Sequence, residues 1–155
     1  MIVAFCGHSS YVRAHGDEEK VFSILENKIG TAYCEFFLGE YGEFDSFAYS
    51  CAQKFKKTHT NCKLVYITPY NSINHLKNYS KYQKERFDLV IYPELEKIPP
   101  RYAISHRNKW IAEQADIIIA YITHKYGGAY ATYLHAKRKN KQIFNIAHLE
   151  LVTQK

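Results

Sequence analysis

The sequence of 155 residues predicts an α/β protein with one mostly parallel sheet of five or six strands and helices on both faces. Short unbroken apolar runs, such as residues 117–119, are typical of strands buried on both faces of a sheet. Stretches with apolar residues at helical spacing lie between these runs, and such alternation is typical of parallel sheets covered by helices. The length suits one domain, so we expect residues 1–155 to form a single unit.

The first half of the chain alternates strands and helices. We expect strands at residues 2–6, 33–38 and 64–68, and helices at 18–29 and 44–55. Gly30 ends the first helix, because glycine readily adopts the left-handed conformation that follows a helix. Pro69 closes the third strand, since proline has no N–H to donate to a sheet.

The second half continues the same alternation after a polar stretch at residues 71–86, which suits either a weak helix or a lid-like loop. We expect strands at residues 89–92, 116–122 and 142–146, and helices at 102–115 and 129–138. Parallel strands joined by helices make right-handed crossovers. The whole pattern therefore predicts a Rossmann-like three-layer domain.

Composition limits the classes of partner. The net charge is +6, but Lys and Arg are scattered along helices, apart from the basic block at residues 137–141. We find no zinc-finger spacing and no aromatic-interleaved RNA motif, so nucleic acid is a less favoured partner than a small anionic ligand. The 14 tyrosines suit a pocket or a subunit interface, which makes a homodimer or larger assembly an open prediction.

Cysteines and histidines indicate no metal and no secretion. The four cysteines (residues 6, 34, 51 and 62) form no CxxC pair, and we expect reduced core thiols in a cytoplasmic protein. The eight histidines lack HxH and HExxH spacing, so we expect no metal site. The chain begins without a basic leader and has no apolar stretch of about 20 residues, so we expect neither secretion nor membrane insertion. No GxGxxG fingerprint is present, and we expect no cofactor.

Three strand ends indicate a ligand pocket at the carboxyl edge of the sheet, where open α/β sheets bind ligands. Glycines let the backbone approach a ligand, and helix N-termini offer free N–H groups to anions. A glycine pair before a helix is also common in simple tight turns. The candidate ligand-binding residues are Gly7, His8, Ser9, Gly39, Gly42, Phe44, Arg107, Gly127, Gly128, Ala129 and Thr132.

A resemblance to a known family spans nearly the whole chain. The motifs are Gly7-His8, residues 37–45 (FLGEYGEFD), residues 64–70 (LVYITPY), Arg107-Asn108 and Tyr126-Gly127-Gly128. In this order they resemble the SLOG superfamily, and more narrowly its YpsA-like branch of small bacterial proteins. The resemblance implies a Rossmann-like fold with a pocket for a nucleotide derivative. Its relatives include the DNA-processing protein DprA, the Lonely-guy phosphoribohydrolases and nucleoside deoxyribosyltransferases.

The chain departs from its enzymatic relatives at one helix. Where the transferase-like pattern has a Glu, this sequence has Thr132, and under the phosphoribohydrolase-like pattern the carboxylate would fall near Leu134 or His135. An unactivated hydroxyl is a weak nucleophile. Whether the protein is an enzyme is therefore left open. The candidate acids or bases are Glu40, Glu43 and Asp45, although Asp45 also suits a helix cap.

Two side-chain types have competing interpretations. Arg107 has a planar fork suited to phosphate or carboxylate, or it forms a surface salt bridge with Glu113 or Asp116. His8 and His124 lie in loops after strands, where each suits either a ligand contact or a structural role.

The leading hypothesis is a cytoplasmic protein that binds a nucleotide or nucleotide-derived molecule for sensing or regulation. One alternative is an N-glycosidase or phosphoribohydrolase-type enzyme. Another is single-stranded nucleic-acid binding, by analogy with DprA.

Overall fold

The computed structural model describes residues 1–71 and 85–149. Most of the polar stretch predicted as a weak helix or lid-like loop, residues 72–84, lies outside these ranges.

The described residues form one sheet of six strands, and every pairing between neighbouring strands is parallel. The strands are β1 (Ile2–Gly7), β2 (Cys34–Leu38), β3 (Cys62–Ile67), β4 (Leu89–Ile91), β5 (Ile117–Tyr121) and β6 (Gln142–Asn145). The helices are α1 (Asp17–Lys28), α2 (Glu43–Thr58), α3 (Ala103–Gln114) and α4 (Gly127–Arg138), with a 3₁₀ turn at Pro100–Tyr102. The predicted α/β class and Rossmann-like architecture are confirmed.

Two helix boundaries differ from the prediction by two residues or more. Helix α4 begins at Gly127, so the two glycines form its first residues instead of a turn that precedes it. Glycine is a poor helix former in the interior, but the first N–H groups of any helix lack intrahelical partners. Helix α2 continues to Thr58. Lys56 and Lys57 lie in its last turn, where their positive charges interact favourably with the negative end of the helix dipole.

The helices cover both faces of the sheet because strand side chains alternate in direction. Residues of α1 and α2, such as Leu25 and Phe55, pack with Phe36 of β2 on one face. Residues of α3 and α4, such as Ile111 and Ala136, pack on the other face, which Phe37 shares. No helix in the described part of the chain is long and apolar enough to cross a membrane.

The strand order is β4-β3-β2-β1-β5-β6, with β1 near the middle. The chain builds outward from β1 to β4 and then crosses back to place β5 on the other side of β1. The loops that follow β1 and β5 consequently diverge and leave a crevice at the carboxyl edge, which is the usual ligand position in such sheets.

Candidate functional site

A cavity of about 500 Å³ occupies this crevice, in the range typical of small-molecule sites. It lies between the loops after β1 and β5, the start of α2, and helices α3 and α4. Nine of the residues singled out in the sequence line it: Gly7, His8, Ser9, Asp45, Arg107, Gly127, Gly128, Ala129 and Thr132.

Arg107 is a buried cation in the cavity wall, with only 1% of its surface exposed. Its Nη1 donates a hydrogen bond to the backbone oxygen of Ile67 at 2.8 Å. Its Nε has no hydrogen-bond partner among residues 1–71 and 85–149. A buried donor without an acceptor is costly, and more so when it carries charge.

The alternative prediction of a surface salt bridge for Arg107 is wrong, because the side chain is buried. Glu113 instead lies 2.8 Å from Nε2 of His135. A carboxylate oxygen of Asp116 accepts the N–H of Ile2 at 2.7 Å.

Asp45 lines the same cavity and also stabilises the start of α2. Asp45 lies in the first turn of α2, whose N-cap is Gly42, so it is not the cap of this helix; its Oδ2 instead accepts the backbone N–H of Tyr41, before the helix, at 2.8 Å. Burial raises the pKa of the Asp45 carboxyl, while the Tyr41 N–H and the Arg107 charge oppose the shift and Glu40 adds to it. A carboxyl in this environment retains its proton to higher pH than usual.

Gly39 leaves room for the side-chain ends of Arg107 and Asp45 beside the backbone. A Cβ atom at this position would lie 2.7 Å from Nη1 of Arg107 and 2.9 Å from Oδ2 of Asp45. The ring of Tyr41 adds a cation–π contact, with its centroid 5.4 Å from the Arg107 guanidinium carbon. Burial raises the pKa of Tyr41 to about 12, so its hydroxyl stays neutral at physiological pH.

Three stacked rings form the rim of the cavity on the β5 side. The rings of His8 and His124 are 3.6 Å apart and nearly parallel, and Tyr126 stacks on His124 at 4.0 Å. The backbone N–H of Thr123 donates to Nε2 of His8 at 3.1 Å, so this nitrogen carries no proton. Burial lowers the pKa of His8, and the neighbouring His124 lowers it further.

The N-terminus of α4 opens into the cavity. Nothing lies within 4 Å of a Cβ placed on Gly127 or Gly128, and no described side chain caps this helix. The thiol of Cys6 donates to the backbone oxygen of Ala129 at 3.2 Å and links α4 to β1. Thr132 donates its hydroxyl to the Gly128 oxygen at 3.0 Å. A helix N-terminus of this kind suits an anion.

Five of the predicted residues do not line the cavity, and three of these, Gly42, Glu43 and Phe44, build its framework. Gly42 has φ +104°, and a Cβ there would lie 2.7 Å from Cα of Ser9. Glu43 donates its backbone N–H to the Ser9 oxygen at 3.0 Å. Phe44 is buried against Gly7, where a Cβ would lie 2.3 Å from the ring. These contacts set the path of the loop after β1.

Gly39 and Glu40 face a separate depression of about 180 Å³. Asp45 is common to both spaces, so it forms part of the wall between them. Glu40 forms an ion pair with Arg86, whose guanidinium carbon lies 4.0 Å from the ring centroid of Tyr49.

Several lining residues are not among the candidate ligand-binding residues named from the sequence. They are Ser10, Tyr41, Ile104, Asn108, His124, Tyr126 and Tyr133, among others. The sequence indicates part of this set, because Ile104, Arg107 and Asn108 are spaced so that they lie on one face of α3. Ala129, Thr132 and Tyr133 share one face of α4 in the same way.

The fold and the cavity together define an α/β protein of Rossmann-like architecture with a small-molecule-sized cavity at the point where the strand order reverses. In the described ranges, no three His, Cys, Asp or Glu side chains are grouped as metal ligands. Neither protein-family models nor curated proteins match this chain.

Proposed function

We propose that this protein binds a nucleotide or nucleotide-derived small molecule in the 500 Å³ cavity and acts as a sensor or regulator. The observation that carries the proposal is Arg107, a buried cation whose Nε lacks an acceptor in the described part of the chain. Asp45 lines the same cavity, and burial raises the pKa of its carboxyl. An anionic ligand group would supply the missing acceptor and charge.

A phosphate suits this environment better than an uncharged ligand. Arginine binds phosphate through parallel N–H groups, and the open N-terminus of α4 lines the same cavity as Arg107. Rings and small apolar side chains in the rest of the wall suit a base or a sugar face. Membership of the SLOG superfamily, a cytoplasmic location and homo-oligomer formation stay predictions from the sequence.

The test is a thermal-shift and calorimetric screen with AMP, GMP, CMP, UMP, ADP-ribose, cyclic di-AMP, ribose 5-phosphate and the uncharged nucleosides. A ligand that binds only the folded protein raises its Tm. We expect phosphate-bearing compounds to raise the Tm more than their nucleosides do. Absence of a shift with every compound would overturn the proposal.

The variant Arg107→Met tests whether anionic compounds bind at the proposed site or are attracted non-specifically by the positive net charge of the protein. Loss of a charged hydrogen bond is worth about 1.5–3 kcal/mol, so we expect roughly 10- to 150-fold weaker binding of phosphate-bearing compounds. Arg101→Met is the matched control, since Arg101 is exposed and outside the cavity. Equal affinities of the two variants would place the ligand elsewhere.

A second candidate function is hydrolysis of an N-glycosidic bond, because a buried carboxyl with a raised pKa lines the cavity. Asp45 would then act as a general acid that protonates the leaving base as the N-glycosidic bond breaks; water attacks the sugar carbon, and the proton that it releases returns to the Asp45 carboxylate. Chromatography of each ligand after incubation tests this candidate. Release of free base that Asp45→Asn abolishes would favour the enzyme, and intact ligand would favour the sensor.

A further inference from the structure

We infer that Tyr126 is the platform on which the planar base of the ligand stacks, so that the protein selects nucleotides over sugar phosphates. This inference rests on the proposed function. It is carried by the ring ladder, which we define as His8, His124 and Tyr126.

The ladder is fixed at its inner end. His8 is only 6% exposed and accepts the Thr123 N–H, so its ring cannot turn without losing that hydrogen bond. His124 stacks on His8 with an angle of 11° between the ring planes. Tyr126 follows on the other side of His124, at an angle of 29°. The ladder therefore holds the Tyr126 ring in place before the ligand binds, so ordering this side chain does not reduce the binding free energy.

The outer end of the ladder is open. Tyr126 is 71% exposed although it is one of the largest aromatic side chains lining the cavity. Within residues 1–71 and 85–149, its ring contacts one other ring, that of His124. The second face of the phenol is thus available for stacking with a planar group.

Different parts of the cavity suit the phosphate and the base of a nucleotide. Tyr126 immediately precedes Gly127 and Gly128, the first residues of α4, and Arg107 lines the same cavity from α3. The Arg107 charge and the helix N-terminus suit the phosphate, whereas the exposed face of the Tyr126 ring suits a planar aromatic group. A nucleotide has both parts, and ribose 5-phosphate has only the first.

The experiment measures the affinities of AMP, GMP, CMP, UMP and ribose 5-phosphate for the wild type, Tyr126→Ala and Tyr126→Phe by calorimetry. We expect Tyr126→Ala to weaken nucleotide binding by about 5- to 150-fold, which corresponds to the ~1–3 kcal/mol of base–aromatic stacking. Tyr126→Phe keeps the ring and should bind within about twofold of the wild type. Ribose 5-phosphate should bind all three proteins equally.

Tyr102→Ala is the control for loss of an exposed tyrosine, because Tyr102 lies outside the cavity; it should bind nucleotides as the wild type does. If Tyr126→Ala weakens ribose 5-phosphate as much as the nucleotides, or weakens neither, the stacking role is wrong while the proposed function stands. If none of the five compounds binds the wild type, the anion site proposed for nucleotides is itself overturned.

Discussion

Replacing Gly39 with Ala tests whether close packing holds Arg107 in the cavity wall. The new Cβ would lie 2.7 Å from Nη1 and 3.0 Å from Nη2 of Arg107. Ordinary non-bonded contacts begin near ~3.5 Å, so Nη1 must retreat by about 0.8 Å. Arg107 is buried and its Nη1 is bonded to the Ile67 oxygen at 2.8 Å, so that movement stretches or breaks the bond.

Loss of a hydrogen bond from a charged donor costs about 1.5–3 kcal/mol. For a chain of this size, 1 kcal/mol corresponds to roughly 2–4 °C in Tm, so we expect Gly39→Ala to lower the Tm by about 3–12 °C. Thermal and urea unfolding at pH 7 measure the change. The same displacement moves the guanidinium from the proposed phosphate position, so ligand affinity should fall as well.

Gly128→Ala is the matched control. Neither Gly39 nor Gly128 has a positive φ, so backbone strain does not distinguish the two substitutions. A Cβ on Gly128 meets nothing within 4 Å, and alanine is the better helix former by up to about 1 kcal/mol. We therefore expect Gly128→Ala to be as stable as the wild type or slightly more stable. Equal stability of the two variants would refute the argument that Arg107 is held by this contact.

Three further substitutions probe packing, titration and a buried hydrogen bond. Gly7→Ala places a Cβ 2.3 Å from the Phe44 ring, so we expect overpacking to cost about 1–3 kcal/mol in urea unfolding; wild-type stability would contradict this expectation. Because burial raises the pKa of Asp45, the folded state binds its proton more tightly than the unfolded state does. The protonated Asp45 carboxyl therefore stabilises the folded wild type at low pH. This stabilisation is lost as the pH rises from the ordinary carboxyl pKa of about 3.9 through the raised pKa of Asp45, and Asp45→Asn should not show the loss. The free energy of unfolding, measured across this pH range, should increase for Asp45→Asn relative to the wild type as the pH rises. A difference between the two proteins that does not change with pH would contradict the raised pKa of Asp45. Tyr11→Phe removes the hydrogen bond from the Tyr11 hydroxyl to the Asp17 carboxylate at 2.7 Å, for which we expect a loss of about 1.5–3 kcal/mol by the same assay, and a smaller change than 0.5 kcal/mol would refute it.

The strands were predictable because burial on both faces leaves a strong local pattern. The apolar run predicted at residues 116–122 corresponds to β5 (Ile117–Tyr121), and the run at 142–146 corresponds to β6 (Gln142–Asn145). The start of α4 was less predictable, since glycine does not indicate a helix by its propensity.

The candidate site was predictable only in part. Arg107 lies on one helical face with Ile104 and Ile111, and this spacing in the sequence is compatible with burial. Local spacing does not reveal which strands lie beneath that face. The choice between a surface salt bridge and a cavity wall therefore required the packed structure. Tyr126 likewise has no periodic signal, because it lies in the loop between β5 and α4.

By itself, the sequence determined the α/β class and the alternation of strands and helices, because these features depend on neighbouring residues. The tertiary structure decided that β5 lies beside β1, which brings the loops after both strands to one cavity with Arg107 of α3. It also assigned Gly42 and Phe44 to packing around the loop after β1. The physical reason is that strand order depends on contacts between segments far apart in the chain, and no local pattern of residues encodes those contacts.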